Sequence, residues 1–178
     1  MSKATLLALT VAAAAVAGSL WLSLGMGLSA CPLCYYQRTF AMAIVGVLTV
    51  GLFSGVRPTV ALSLVCLPLA VGGWGVAAFH VSLEFRGILE CPRGVFGAGS
   101  APQQSFAVYT LLLLVLFFDL VFNLFRSAGW SWVLRGLGAI VLGGLFVLGS
   151  ISSNPPPLEP KQAYDKPPET CRRPYKTP

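Results

Sequence analysis

The chain reads as long apolar stretches separated by short polar ones. Residues 4–30 carry no charge, and comparable stretches cover 36–54, 60–80, 105–125 and 130–151. A bilayer core requires about 20 apolar residues of helix at about 1.5 Å per residue, so each stretch predicts one membrane span. The connections are a short segment around 31–35, a turn at 55–59, a polar Gly-containing loop at 81–104, and a short link beginning at Arg126. The fifth stretch departs most from the pattern. It contains Arg135 and five glycines, Gly136, Gly138, Gly143, Gly144 and Gly149. The pattern predicts an all-α membrane protein, with a transmembrane domain over 1–151 and a Pro-rich tail over 152–178.

Composition agrees. Only 10% of the 178 residues are charged and 56% are hydrophobic, against about 25% charged in soluble domains. The net charge of +6 invites a nucleic-acid reading, but five of the twelve basic residues lie in the tail beside Glu159, Asp165 and Glu169. Eight of the thirteen prolines lie there too, which predicts an extended, partly polyproline-like tether. No nucleic-acid partner is expected. With a cytoplasmic N-terminus, Lys3, Arg57, Arg126 and Arg135 lie inside, and Arg38, Arg86, Arg93 and the tail lie outside. Charge bias alone therefore leaves orientation open.

Lys3 followed by an apolar run resembles a signal peptide, and Leu28–Cys31 (LSAC) resembles a lipoprotein processing site. The run is longer than the roughly 7–15 residues of a signal core, and processing there would consume Cys31. A membrane span is the preferred reading.

Five cysteines are present: Cys31, Cys34, Cys66, Cys91 and Cys171. Cys66 lies mid-span in LSLVCLPLA, where a thiol acts as a small apolar residue. The other four fall in the first connection, the third connection and the tail. With five spans these regions share one face of the membrane; with four, Cys171 would be stranded opposite. Persistent disulfides belong on the oxidising side, which makes the N-terminus cytoplasmic. Cys31 and Cys34 bracket Pro32-Leu33, and a Pro near a helix start leaves no N–H unsatisfied. A CxxC there meets the positive end of the helix dipole, which favours thiolate. Zinc is disfavoured, because the chain has one histidine, His80, and no second CxxC. Haem attachment fails because Tyr35 follows the motif where CxxCH needs His. Twenty residues separate Ser152 from Cys171 inclusively, a reach of roughly 60 Å when extended. A Cys91–Cys171 disulfide is therefore sterically open, either as a mobile exchange partner or as a clamp on the tail.

Arg38 follows Cys34 by one helical turn, on the same face. A cation there favours a neighbouring thiolate and can hold the polar head of a lipid-soluble molecule; the alternative is an interfacial arginine that snorkels. Asp119, with Asn123 one turn on, lies toward the inner half of the fourth stretch. There a packing role is as good a reading as a functional one.

The segment CPLCYYQR, Cys31 to Arg38, resembles the CxxC-plus-arginine signature of the DsbB family of membrane thiol:quinone oxidoreductases. The resemblance covers the first four stretches and includes AAFHVSLEF, where His80 matches a histidine near the start of that family's second periplasmic loop. It implies a four-helix transmembrane bundle in the bacterial inner membrane, a periplasmic active face, and ubiquinone or menaquinone as electron acceptor. Cys31 and Cys34 would be the quinone-proximal pair, with Cys34 against the quinone and Arg38 and His80 bordering its site. The family usually carries its second cysteine pair in one loop. Here Cys91 would pair with Cys171 beyond an added fifth span. Cys91 would meet a thioredoxin-like, DsbA-like donor, and Cys171 would relay to Cys31. Three other readings compete: a vitamin K epoxide reductase-like quinone reductase, whose outer pair usually precedes its CxxC; a reductant-exporting or cofactor-maturation protein that runs electrons the other way; and a membrane scaffold whose cysteines only staple loops.

Overall fold

A computed structural model describes residues 3–54, 60–127, 130–155, 160 and 163–175; of 60, 96, 123–127 and 130–132 it describes the backbone only. The turn predicted at 55–59, the side chains of Asn123 and Arg126, the link at 128–129, and Glu159 lie outside the described residues.

Among the described residues five α-helices form: α1 (Lys3–Leu20), α2 (Pro32–Phe53), α3 (Val60–Phe85), α4 (Ala101–Ser127) and α5 (Trp130–Ser152). All five are long and apolar enough to cross a membrane. No sheet is present among the described residues, only two isolated bridges. The protein is therefore an all-α multi-span membrane bundle, the fifth helix included. α1 packs on α2 and α4, and α3 packs on those same two helices, so α1 to α4 close a ring. α5 lies against α3 on the outside of that ring. Ala8, Ala12, Ile44, Leu48, Ala70, Leu112 and Leu116 fill the interior. Leu134, Leu137, Val141, Leu145 and Leu148 of α5 point outward, as helix faces do in lipid.

Small residues set the α3–α5 approach. A Cβ on Gly143 would come within 2.9 Å of the Pro68 carbonyl oxygen and 2.5 Å of Val71 Cβ. Contact this close needs glycine, because association in lipid depends on packing rather than on water exclusion.

The helices differ in extent from the apolar runs. α1 ends at Leu20 and continues as one π-helical turn, Trp21–Gly25. α2 begins at Pro32, where the sulfur of Cys31 caps it by accepting the Cys34 N–H. α3 continues past His80 to Phe85, because no breaker occurs until Gly87 at φ +66°. α4 begins after Ser100, whose hydroxyl accepts the Gln103 N–H.

The end of the tail is docked. Glu90 and Arg172 exchange two backbone hydrogen bonds, of 2.7 and 3.0 Å, and the Ser29 N–H donates to the Glu169 carbonyl. The Arg172 guanidinium lies 3.6 Å over the Tyr164 ring. The tail meets the helix ends as an edge pairing with the α3–α4 loop, which fixes Cys171 beside the start of α2 rather than leaving it on a free tether.

Candidate active site

The start of α2 carries the dithiol. Cys31 is buried and Cys34 half-buried, with their sulfurs 2.9 Å apart and both thiols free. The Cys34 N–H donates to Cys31 Sγ at 3.3 Å. The hydrogen bond between the two side chains holds the Cys31 thiol well below its ordinary value; burial opposes this, and His80 assists it. The unpaired N–H groups of the first helical turn act in the same direction.

The second pair is a disulfide. Cys91 and Cys171 are bonded across 80 positions, with Cα atoms 4.2 Å apart. Cys171 packs against Cys31, Leu33 and Val76.

His80 joins the two pairs. It is fully buried, and its Nε2 lies 3.2 Å from Cys171 Sγ, 3.5 Å from Cys91 Sγ and 3.8 Å from Cys31 Sγ. The ligating atoms of Cys31, Cys34, His80 and Cys171 all lie within 4.8 Å of one another. The other ring nitrogen, Nδ1, lies 3.4 Å from Gln37 Nε2, and Ser105 Oγ donates to Gln37 Oε1 at 2.6 Å. The Tyr109 hydroxyl donates to the Gln37 carbonyl.

Gln37, Ser105 and Tyr109 were not among the sequence candidates. One local signal existed: Gln37 lies four residues from both Leu33 and Ala41, inside the buried stripe of α2.

A cavity of about 590 Å³ lies between α1, α2 and α4. Small residues of α1, Ala14, Ala15 and Gly18, form one wall; Cys34, Gln37 and Arg38 form another. His80 does not line it, but stands behind Gln37 on the side of the disulfide. Arg38 is turned inward. Its Nε donates to Ser19 Oγ at 2.9 Å, and its Nη2 donates to the Ser19 carbonyl at 3.0 Å and to Ser23 Oγ at 2.7 Å. Nη1 is left without a hydrogen-bond partner among the described residues. A lipid quinone is a flat apolar ring with two carbonyl acceptors. An apolar cavity of this size, bordered by a cationic donor, an amide and a sulfur, fits such a group.

The remaining candidates lie away from this end. Cys66 is sealed in the core. Asp119 is buried and accepts a 2.6 Å hydrogen bond from Ser63 near the start of α3.

Comparison with known proteins agrees with this chemistry. Residues 2–142 match the family profile described as "Disulfide bond formation protein DsbB". The chain is also 27% identical over 108 residues to the "Probable disulfide formation protein" of Chlamydia trachomatis serovar D, a match covering 55% of this chain and 78% of that one. No solved structure matches. Cys171 lies beyond the matched segment. The protein is a multi-pass inner-membrane thiol oxidoreductase, of a kind that in general uses a membrane quinone. With most of its length matched to that profile, the chain belongs to the DsbB family.

Proposed function

We propose that the protein reoxidises a periplasmic thioredoxin-like, DsbA-like dithiol oxidase and passes two electrons through Cys91–Cys171 and Cys31–Cys34 to ubiquinone or menaquinone. The observation that carries this reading is the position of the CxxC. Cys34 faces the cavity, while Cys31 faces Cys171 and His80. A donor thiolate attacks Cys91 and releases Cys171 as thiolate. Cys171 attacks Cys31 of the Cys31–Cys34 disulfide and releases Cys34. The donor's second thiol then frees Cys91 and leaves as a disulfide, and Cys91 displaces Cys31 from Cys171. The result is a Cys91–Cys171 disulfide beside two free thiols, the same bonding as in the structure. The quinone, when bound, supplies the two-electron sink that restores Cys31–Cys34. Arg38 borders the cavity with Nη1 left to donate, and His80 offers an N–H hydrogen bond to the sulfur that leaves as thiolate. In this reading residues 1–151 span the membrane, the N-terminus is cytoplasmic, and the 152–178 tail is periplasmic.

The test is disulfide mapping of the purified protein after full reduction, anaerobically, with and without a short-chain quinone. The relay requires quinone-dependent recovery of Cys31–Cys34. Recovery of no disulfide, or a Cys171 thiol labelled only from the cytoplasmic side, would overturn it.

A further inference from the structure

We infer that the fully reduced protein binds one soft divalent cation of the zinc class through Cys31, Cys34, His80 and Cys171. The inference rests on the relay reading only in requiring that all four exchange cysteines pass through the thiol state. From sequence, zinc was disfavoured, because the chain has one histidine and no second CxxC to complete a set of four ligands. Docking of the tail supplies the fourth. Four ligand atoms mutually within 4.8 Å, three of them sulfur, match the Cys₃His set of tetrahedral zinc sites, whose metal–ligand distances are about 2.0–2.3 Å. The site lies at an N-terminal helical turn whose N–H groups favour thiolate charge, and the Cys34 N–H already points at Cys31 Sγ.

The site is gated by redox state. In the disulfide form Cys171 is bonded to Cys91 and has no thiolate to offer. Two donor dithiols, giving four electrons and becoming two disulfides, convert both pairs to four thiols. Binding then releases to solvent whatever protons the ligating thiols still carry. Metal binding through His80 Nε2 needs the ring proton on Nδ1. The Gln37 amide meets this need by turning its oxygen to Nδ1, with Ser105 Oγ then accepting from the amide nitrogen. A bound cation would hold Cys31, Cys34 and Cys171 together and stop exchange until a chelator or competing thiol removes it. That would arrest the relay when electrons arrive faster than they leave.

The experiment is anaerobic titration of the intact detergent-solubilised protein with Co²⁺, followed by displacement with Zn²⁺. The protein is first reduced with a phosphine and desalted. The expected result is one Co²⁺ per reduced chain, with the thiolate charge-transfer and intense d–d bands of tetrahedral sulfur ligation, and none for the disulfide form. His80→Ala should lose the tetrahedral spectrum, Gln37→Leu should weaken binding by about tenfold or more, and Cys66→Ala should bind as wild type. Zn²⁺ added before quinone should slow disulfide recovery by at least about tenfold, reversibly with chelator. Equal binding by the disulfide form, or no tetrahedral spectrum in the reduced form, overturns the inference. Recovery with quinone in metal-free buffer is scored separately. If it succeeds while Co²⁺ fails to bind, the metal site alone falls; if it fails without metal, the relay reading falls.

Discussion

Gln37 and His80, 43 positions apart, meet with Gln37 Nε2 3.4 Å from His80 Nδ1. Ser105 holds the other end of the amide. When Gln37 donates to Nδ1, the remaining ring proton lies on Nε2 and faces the sulfurs of Cys171, Cys91 and Cys31. His80 is then set to donate a hydrogen bond to a leaving thiolate during exchange. His80→Ala should slow dithiol oxidation by up to about 100-fold, the range of a hydrogen bond to a charged group. Gln37→Leu should slow it by about tenfold, and the double variant should be no worse than His80→Ala alone, because both act through one ring. Stopped-flow oxidation of a reduced donor would read all three; additive losses would mean the two side chains act independently.

The lowered Cys31 thiol gives a pH signature. It lies well below the ordinary 9.0 in the folded protein, chiefly through the Cys34 hydrogen bond. The thiolate, and the stability that it contributes, is full above about pH 9 and lost as pH falls through the lowered value. Alkylation of Cys31 in the reduced protein should therefore persist at about pH 7, where a free thiol has largely lost it, and fall only at more acidic pH. Cys34→Ala removes the side-chain hydrogen bond that lowers the value most, so the midpoint should move upward. An unchanged midpoint would assign the effect to the helix terminus instead.

The helices were readable because lipid imposes a one-dimensional rule, about 20 apolar residues per crossing. Cys31, Cys34 and Arg38 were readable for a similar reason: their relationship is local, one turn of one helix. His80 was different. Alone at the end of an apolar stretch, it had no spacing that singled it out, and it entered through family resemblance. Gln37, Ser105 and Tyr109 come from α2 and α4 and acquire meaning only when the ring of helices closes. Cys171 had reach in the sequence, and the family resemblance paired it with Cys91, as the disulfide shows. The Glu90–Arg172 backbone pairing that holds it there was not legible, because no composition rule anticipates a bridge between a Pro-rich tail and a distant loop.

The order of attack is separable by trapping. If the donor meets Cys91, Cys171→Ser mixed with the donor in its disulfide form should accumulate a donor–Cys91 mixed disulfide, because the free Cys91 thiolate attacks the donor disulfide and Cys171 is not there to displace it. Cys91→Ser should accumulate little at Cys171, which packs against Cys31, Leu33 and Val76. Non-reducing gels with mass mapping distinguish the two. The reverse pattern would make Cys171 the entry point.

Arg38 depends on α1 for its aim. Three of its N–H groups are held by Ser19 and Ser23, where the helix passes into the π-helical turn. Ser19→Ala/Ser23→Ala removes two hydroxyl acceptors for a charged donor, each worth about 1.5–3 kcal/mol at most. The quinone KM should rise by about tenfold while the KM for the donor dithiol is unchanged. Arg38→Lys should do the same, since an ammonium does not reproduce the fork geometry. A rise in the donor KM instead would place Arg38 on the periplasmic docking surface.

The fifth helix is tested through its glycine contact. Gly143→Leu would force a side chain into Pro68 and Val71 at distances below van der Waals contact, and overpacking of this kind costs about 1–3 kcal/mol. Gly138 has nothing within 4 Å of a Cβ, so Gly138→Ala is expected to be neutral or slightly stabilising through helix propensity. The two variants change helix composition in the same apolar sense and differ in what the new atoms meet. Thermal unfolding in detergent should show a lower Tm only for Gly143→Leu. The yield of the Cys91–Cys171 disulfide should fall with it, because α5 delivers the tail to the loop that holds Cys91. Equal Tm values with unchanged disulfide yield would mean that α5 contributes no specific packing to α3, and that the disulfide alone fixes the position of the tail.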